Sequence, residues 1–271
     1  MQAIFLKSRV GQRFALYHEP IGPVRGVVVA IHPFGEEMNK SRRMMALGAR
    51  ALAAVGFAVI QVDLLGCGDS SGELVDADWD GWIQDVLLAR DWLTERHAAP
   101  QWIWGVRAGC LVAADVARKA GTAFNFIFWQ PQTSGRQAVQ QFLRLKMASQ
   151  IQQGVPKGST AALHRDLAAG HAVEVAGYLL GPGIAQGLAA SALVPPPEAA
   201  HLVWLEVTTR EPAQLLPAAE QVIDGWKSAG CEVRSQVVSG PPFWQTLEIE
   251  DAPELVTATV SILNSTLGFR L

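Results

Sequence analysis

Trp104-Gly105-Val106-Arg107-Ala108-Gly109 reads as a short strand that turns abruptly into a helix, with small residues on both sides of position 107. A corner of the form Gly-x-X-x-Gly holds its central side chain out at a sheet edge, where acyl-transfer enzymes expose an oxygen or sulfur nucleophile. Here the central residue is Arg107. A guanidinium is not deprotonated in proteins and cannot accept an acyl group. A non-glycine residue at positive φ costs on the order of 1 kcal/mol, so a compensating contact is expected. Two outcomes are open: an internal ion pair with a nearby acid, or a bound anion, for which a guanidinium beside helix N–H groups is well suited.

Three other strand ends carry polar chemistry. His32-Pro33-Phe34-Gly35-Glu36-Glu37 is a loop that can offer a backbone N–H to an oxyanion, with Gly35 permitting close approach. His32 is expected to fix this loop by hydrogen bonds rather than act as a base, and Glu36 and Glu37 to be either solvated loop charges or partners of Arg107. Asp63 to Gly72 holds Gly66 and Gly68 two apart but lacks a dinucleotide fingerprint, so no cofactor is expected. Cys67 reads as a small filler and Ser70 as a turn residue. The region after His201 offers Glu206 or Glu211 as an acid, but no histidine follows His201 anywhere, and Ser239-Gly-Pro-Pro-Phe-Trp244 stands where an imidazole base would be placed. Ser134, after Gln130-Pro-Gln132-Thr, reads as a loop hydrogen-bonder. The candidate ligand-binding set is thus Arg107, Val106, Ala108, His32, Phe34, Gly35, Glu36, Gln130, Gln132, Ser134 and Trp244, with Glu37, Glu206 and Glu211 as candidate acid partners. No catalytic residue is assigned and no metal-ligand spacing is present.

The elements that must position these residues follow from periodicity. Short strands are expected at 3–6 and 13–17, and fully buried ones at 26–32 and 57–62, where apolar runs lack polar alternation. Helical spacing covers 40–55, ended by Gly56, and 79–93, with Asp78 and Asp80 at the favourable N-terminal end. Strand 101–104, helix 108–119 and strand 123–129 follow. Residues 135–200 break the alternation and read as a helical lid insertion. Strand 201–207, helix 213–228, strand 231–238 and helix 252–264 then resume it. Alternating strands and helices imply right-handed crossovers and a mostly parallel, twisted sheet of about eight strands with helices on both faces.

Bulk properties narrow the function classes. The chain has 271 residues, of which 49% are apolar and 17% charged, enough for one large core in a single domain spanning 1–271. A net charge of −3 supplies no field for nucleic acid or an anionic membrane surface. Three cysteines, far apart, suit a reducing compartment. Neither a signal peptide nor a membrane span is read from the sequence, and a cytoplasmic location is expected.

Taken together, His32-Pro-Phe-Gly35, Asp63-Leu-Leu-Gly-Cys-Gly-Asp-Ser70 and Gly105-Val-Arg-Ala-Gly109 resemble the α/β-hydrolase superfamily across essentially the whole chain. More narrowly, Trp104-Gly-Val-Arg-Ala-Gly109, Trp129-Gln-Pro131 and Gly240-Pro-Pro-Phe-Trp-Gln245 are similar to exosortase A system-associated hydrolases of type 2. That resemblance implies an α/β-hydrolase fold and a bacterial setting that sorts PEP-CTERM proteins and makes exopolysaccharide. The sequence departs from the superfamily at nucleophile and base, the mark of a pseudoenzyme. Three functions follow as expectations: a non-catalytic binding or accessory protein for a small anionic or acyl-type ligand, an atypical hydrolase using non-triad residues on ester-like bonds, or an interaction module for a protein partner of the exosortase system.

Overall fold

The computed structural model describes residues 1–152 and 159–266. Positions 153–158 of the expected 135–200 insertion lie outside the described residues. In chain order the elements are β1 (Gln2–Lys7), β2 (Gln12–His18), β3 (Gly26–Ile31), α1 (Glu36–Ala54), β4 (Phe57–Val62), α2 (Trp79–Thr94), β5 (Gln101–Val106), α3 (Gly109–Ala120), β6 (Asn125–Trp129) and α4 (Gly135–Gln152). They continue with α5 (Thr160–Ala168), β7 (Val173–Val175), β8 (Tyr178–Leu180), α6 (Pro182–Ala190), β9 (His201–Thr208), α7 (Pro217–Ser228), β10 (Glu232–Ser239) and α8 (Pro253–Thr266).

Eight strands form one sheet in the order β1-β2-β4-β3-β5-β6-β9-β10. The β1–β2 and β2–β4 pairs are antiparallel, and every pair from β4 to β10 is parallel. Every residue of β3 and β4 is buried, as continuous β-branched runs require. Two apolar cores cover the two faces. On one, α1 and α8 place Met44, Leu52, Leu255 and Leu263 against Val28, Trp104 and Trp129. On the other, α2, α3 and α7 place Ile83, Val86, Leu111 and Trp226 against Val29, Ile103 and Phe128.

This order reverses at β3: the chain passes from β3 to β4 on one side, then to β5 on the other. Right-handed crossovers put α1 on one face and α2 and α3 on the opposite one, so the segments leaving β3 and β5 diverge and open a crevice at the carboxyl ends of both strands.

Three boundaries differ from expectation. The first helix starts at Glu36 instead of near residue 40, because Gly35 takes φ 63 and turns the chain at once into α1. Glu36 and Glu37 are therefore first-turn helix residues and not loop charges. The helix expected from 213 starts at Pro217, a residue whose fixed φ favours the first helical position. The segment after β6 is not purely helical: β7 and β8 form a small antiparallel hairpin within it, paired Val173 to Leu180. No helix among the described residues is long and apolar enough to cross a membrane.

The β5–α3 corner needs its glycines. A Cβ on Gly105 would lie 2.6 Å from the Cys110 backbone, and one on Gly109 would lie 2.6 Å from the Ile31 carbonyl oxygen. Backbone atoms cannot move aside cheaply, so Gly105→Ala should destabilise the fold by about 1–3 kcal/mol. Urea unfolding checks this; a midpoint equal to that of the parent would mean that the corner is loosely packed.

Candidate functional site

Arg107 stands at the end of β5 with φ 55, in the left-handed region. The surrounding backbone holds it there: its N–H donates to the Trp129 carbonyl at 3.0 Å, and its own carbonyl accepts from Cys110 at 3.1 Å and Gln132 at 3.3 Å. The guanidinium is engaged side-on. Nη2 donates to Glu37 Oε1 at 3.1 Å and Nε to Oε2 at 3.3 Å, while Nη1 makes a long contact of 3.5 Å to the Gln130 carbonyl. The cation also lies 5.0 Å from the centroid of the Trp244 ring, an attraction of about 0.5–2 kcal/mol. Arg107 and Glu37 keep 14% and 28% of their side-chain surface exposed, so the pair faces the crevice and is partly screened.

The topology explains this meeting of residues seventy positions apart. Glu37 sits in the first turn of α1, where the helix dipole favours an acid, and Arg107 immediately precedes α3 across the same crevice. Trp244 arrives from the turn after β10, where Gly240 donates to the Thr208 carbonyl at 3.0 Å and Gln245 to Pro242 at 2.9 Å. Phe243 beside it is fully buried against Trp129. An aromatic pair thus occupies the region where a base was sought.

The crevice is a cavity of about 510 Å³. Arg107, Glu36, Glu37, Lys40 and Gln132 supply its polar lining and Phe34 and Trp244 part of its apolar wall, with Gln245 at the edge. The opposite wall is α4, through Ala138, Gln141, Phe142 and Leu145. Phe142 lies 4.9 Å from Phe34, ring to ring, and covers the space a side chain at Gly35 would need. Gln141 accepts from Gln132 at 3.1 Å, and Lys40 Nζ donates to the Thr246 carbonyl at 2.5 Å. The α4 residues follow i, i+3, i+4, i+7 spacing, the signature of one helix face. That signal was present in the sequence, but nothing local says the face meets this crevice.

Other nominated residues are used elsewhere. Gln130, at φ 45, turns inward: its N–H donates to Leu205 and its Oε1 accepts from Val207, both at 2.8 Å, locking β6 to β9. Ser134 is a helix cap; its Oγ accepts from Gln137 N–H at 3.4 Å. Val106 is fully buried, with its side chain in the α1–α8 core, and Ala108 is nearly so. Among the described residues the Ala108 N–H has no acceptor. Glu206 accepts from Trp204 Nε1 at 2.7 Å and does not bond Arg107; burial raises its pKa, partly offset by that bond and by the Arg107 charge. Glu211 is exposed in the β9–α7 turn and makes no ion pair with Arg107. Glu36 faces Lys40 at 3.9 Å and accepts from the Tyr178 hydroxyl at 3.4 Å.

His32 is not the hydrogen-bonded loop anchor expected of it. Its Nδ1 is enclosed with no hydrogen-bond partner among the described residues, and burial, with help from the Arg42 charge, lowers its pKa to about 3. Burial lifts the Cys67 thiol to about 12 and the Cys110 thiol well above its usual value, so neither is a thiolate at neutral pH. Among the described residues, no cluster of three or more His, Cys, Asp or Glu is placed to hold a metal ion.

Residues 22–174, more than half of the chain, match the Hydrolase_4 family, described as serine aminopeptidase, S33. The lysophosphatidylserine lipase ABHD12 of Xenopus tropicalis is 27% identical over 118 residues, which are 43% of this chain but 29% of that protein. The match therefore spans under a third of that relative. Among solved structures, Est1E from Butyrivibrio proteoclasticus with ferulic acid bound is similar with a TM-score of 0.70 at 14% identity, covering 98% of this chain and 99% of that one. Alpha/beta hydrolase domain-containing protein 10 from mouse gives 0.64 at 14% identity, with 98% of each chain covered. At such identities the likeness shows the α/β-hydrolase fold alone.

The His32 environment has a measurable consequence. The unfolded chain takes up this proton near pH 6.5, whereas the folded chain resists it down to about pH 3. Between these values the unfolded state binds more protons, so stability falls as pH falls. His18, also depressed by burial, acts in the same direction. Between about pH 7 and about pH 5 the parent should lose roughly 1–2 kcal/mol more than His32→Asn in urea unfolding. Equal losses would place the pH sensitivity at other groups.

Proposed function

The chain belongs to the Hydrolase_4 family, serine aminopeptidase, S33, and from that premise we propose that it is a non-catalytic binding or accessory protein that holds a small anionic ligand on a hydrolase scaffold. One observation carries this reading: the described lining of the crevice at the β5–α3 corner contains no Ser, Thr, Cys or His side chain, while it contains a guanidinium between apolar walls. An acyl-transfer centre needs an attacking atom and a base that can take its proton. A binding site needs a few placed polar groups in a largely apolar concavity, and 510 Å³ lies within the usual range for one.

The head group of the ligand is held by the Arg107 guanidinium, the charged donor at the β5–α3 corner of the crevice. Trp244, Phe34 and α4 enclose its apolar part. Residues 135–200 serve as the lid of a single-domain protein. The motif resemblance to type 2 exosortase A system-associated hydrolases supports a bacterial PEP-CTERM and exopolysaccharide setting, in which the partner is a protein of that system. A hydrolytic role through Glu37 or Glu206 would rest on acid–base help of roughly 10²–10⁴-fold, with the first carboxylate already paired to Arg107.

The test combines reactivity with binding. The protein should resist labelling by a fluorophosphonate and show no turnover of activated acyl esters above that of Arg107→Ala. In a panel of small carboxylates and phosphate monoesters, Arg107→Ala should weaken binding by about 2–3 kcal/mol. Labelling that persists in Arg107→Ala but disappears in Ser134→Ala would replace this reading with a serine enzyme.

A further inference from the structure

The guanidinium at the corner is already occupied by a carboxylate of the protein itself, which raises the question of how an anion from outside could use it. Among the described residues Glu37 is held by one basic side chain, Arg107, through Nε and Nη2 at 3.1–3.4 Å. It lies in the first turn of α1, keeps 28% of its surface exposed and lines the cavity. Among the described residues no other hydrogen bond ties its carboxylate down, and its long side chain can swing towards solvent about χ angles that the helix leaves free. Arg107, by contrast, is fixed: its backbone is held on both sides, its guanidinium rests over Trp244, and its Nη1 reaches the Gln130 carbonyl at 3.5 Å.

We propose that Glu37 is a resident stand-in for the ligand's carboxylate, and that the cavity takes an amphipathic monocarboxylate which exchanges with Glu37 at the Nε–Nη2 edge of Arg107. This rests on the anion-binding reading above and adds the ligand class and its internal competitor. A monocarboxylate replaces Glu37 group for group, leaving the charge beside Arg107 unchanged, whereas a doubly charged phosphate would add a charge next to Glu36. The apolar body lies along Phe142, Leu145 and Trp244; Leu145 is 43% exposed and gains cover when the cavity fills. In the empty protein the same carboxylate keeps the guanidinium from standing bare. A binding edge that is free only about a tenth of the time weakens apparent affinity about tenfold.

Isothermal titration with octanoate, and with octanol as the same body without a carboxylate, tests the exchange in the parent, Glu37→Gln and Glu37→Asp. The parent should bind octanoate in preference to octanol. Glu37→Gln, which cannot hold Arg107 as a carboxylate does, should bind octanoate about tenfold tighter, with octanol unaffected. Glu37→Asp, whose shorter side chain retreats from Arg107, should shift the same way and stands in if the glutamine variant fails to fold. Octanoate binding in the parent that is equal or weaker in the folded variants would overturn the exchange while leaving anion binding at Arg107 intact. Octanoate binding to neither parent nor variants would overturn the monocarboxylate exchange, and the absence of binding across the carboxylate and phosphate panel as well would overturn both.

Discussion

A permanent positive charge placed at the strand–helix corner of an otherwise apolar crevice has to be compensated where it stands. Arginine cannot discharge itself by losing a proton, and a partly buried guanidinium without a partner would cost several kcal/mol. The structure meets this demand from three elements at once. Glu37 comes from α1, the Gln130 carbonyl from the end of β6, and the Trp244 ring from the turn after β10. Each lies where the corner needs it because the sheet order reverses at β3 and aims these segments at one point.

That compensation defines the chemistry of the crevice. A corner that exposes a serine is built to form and break bonds, because a nearby imidazole can receive its proton. With Arg107 in that place, Trp244 fits beside it as a flat apolar face for a cation. The residues at these two positions are thus mutually compatible, a cation standing against an aromatic face. The neighbouring ionisable groups accord with this: His32 is kept neutral, and both Cys67 and Cys110 are held as thiols by burial.

The second wall of the crevice comes from the segment between β6 and β9. Phe142 presses on Gly35, whose positive φ and missing side chain make room for the ring. Tyr178 on the β7–β8 hairpin donates to Glu36 and accepts from Asn39 at 2.9 Å, joining that hairpin to α1. The same first turn of α1 therefore carries one glutamate that answers Arg107 and one that meets the covering segment.

Much of the architecture was legible along the chain because it depends on local periodicity. The buried runs 26–31 and 57–62, the helical spacing from Trp79 and the glycines of the 105–109 corner announce their roles without reference to distant residues. The absence of a nucleophile at 107 and of a histidine after 201 was equally plain, since a residue type needs no fold to be read. Partner choice was different. Four acids were open to Arg107, and only the tertiary structure selects Glu37 over Glu36, which faces Lys40 and Tyr178, Glu206, which is held by Trp204, and Glu211, which is out in solvent. Gln130 and Ser134 looked available for a ligand until tertiary contacts assigned one to β9 and the other to a helix cap. Phe142 and Leu145 gained a role only when α4 folded over the crevice. Periodicity and residue type are properties of neighbours in the chain, whereas pairing depends on which strand ends the sheet order brings together.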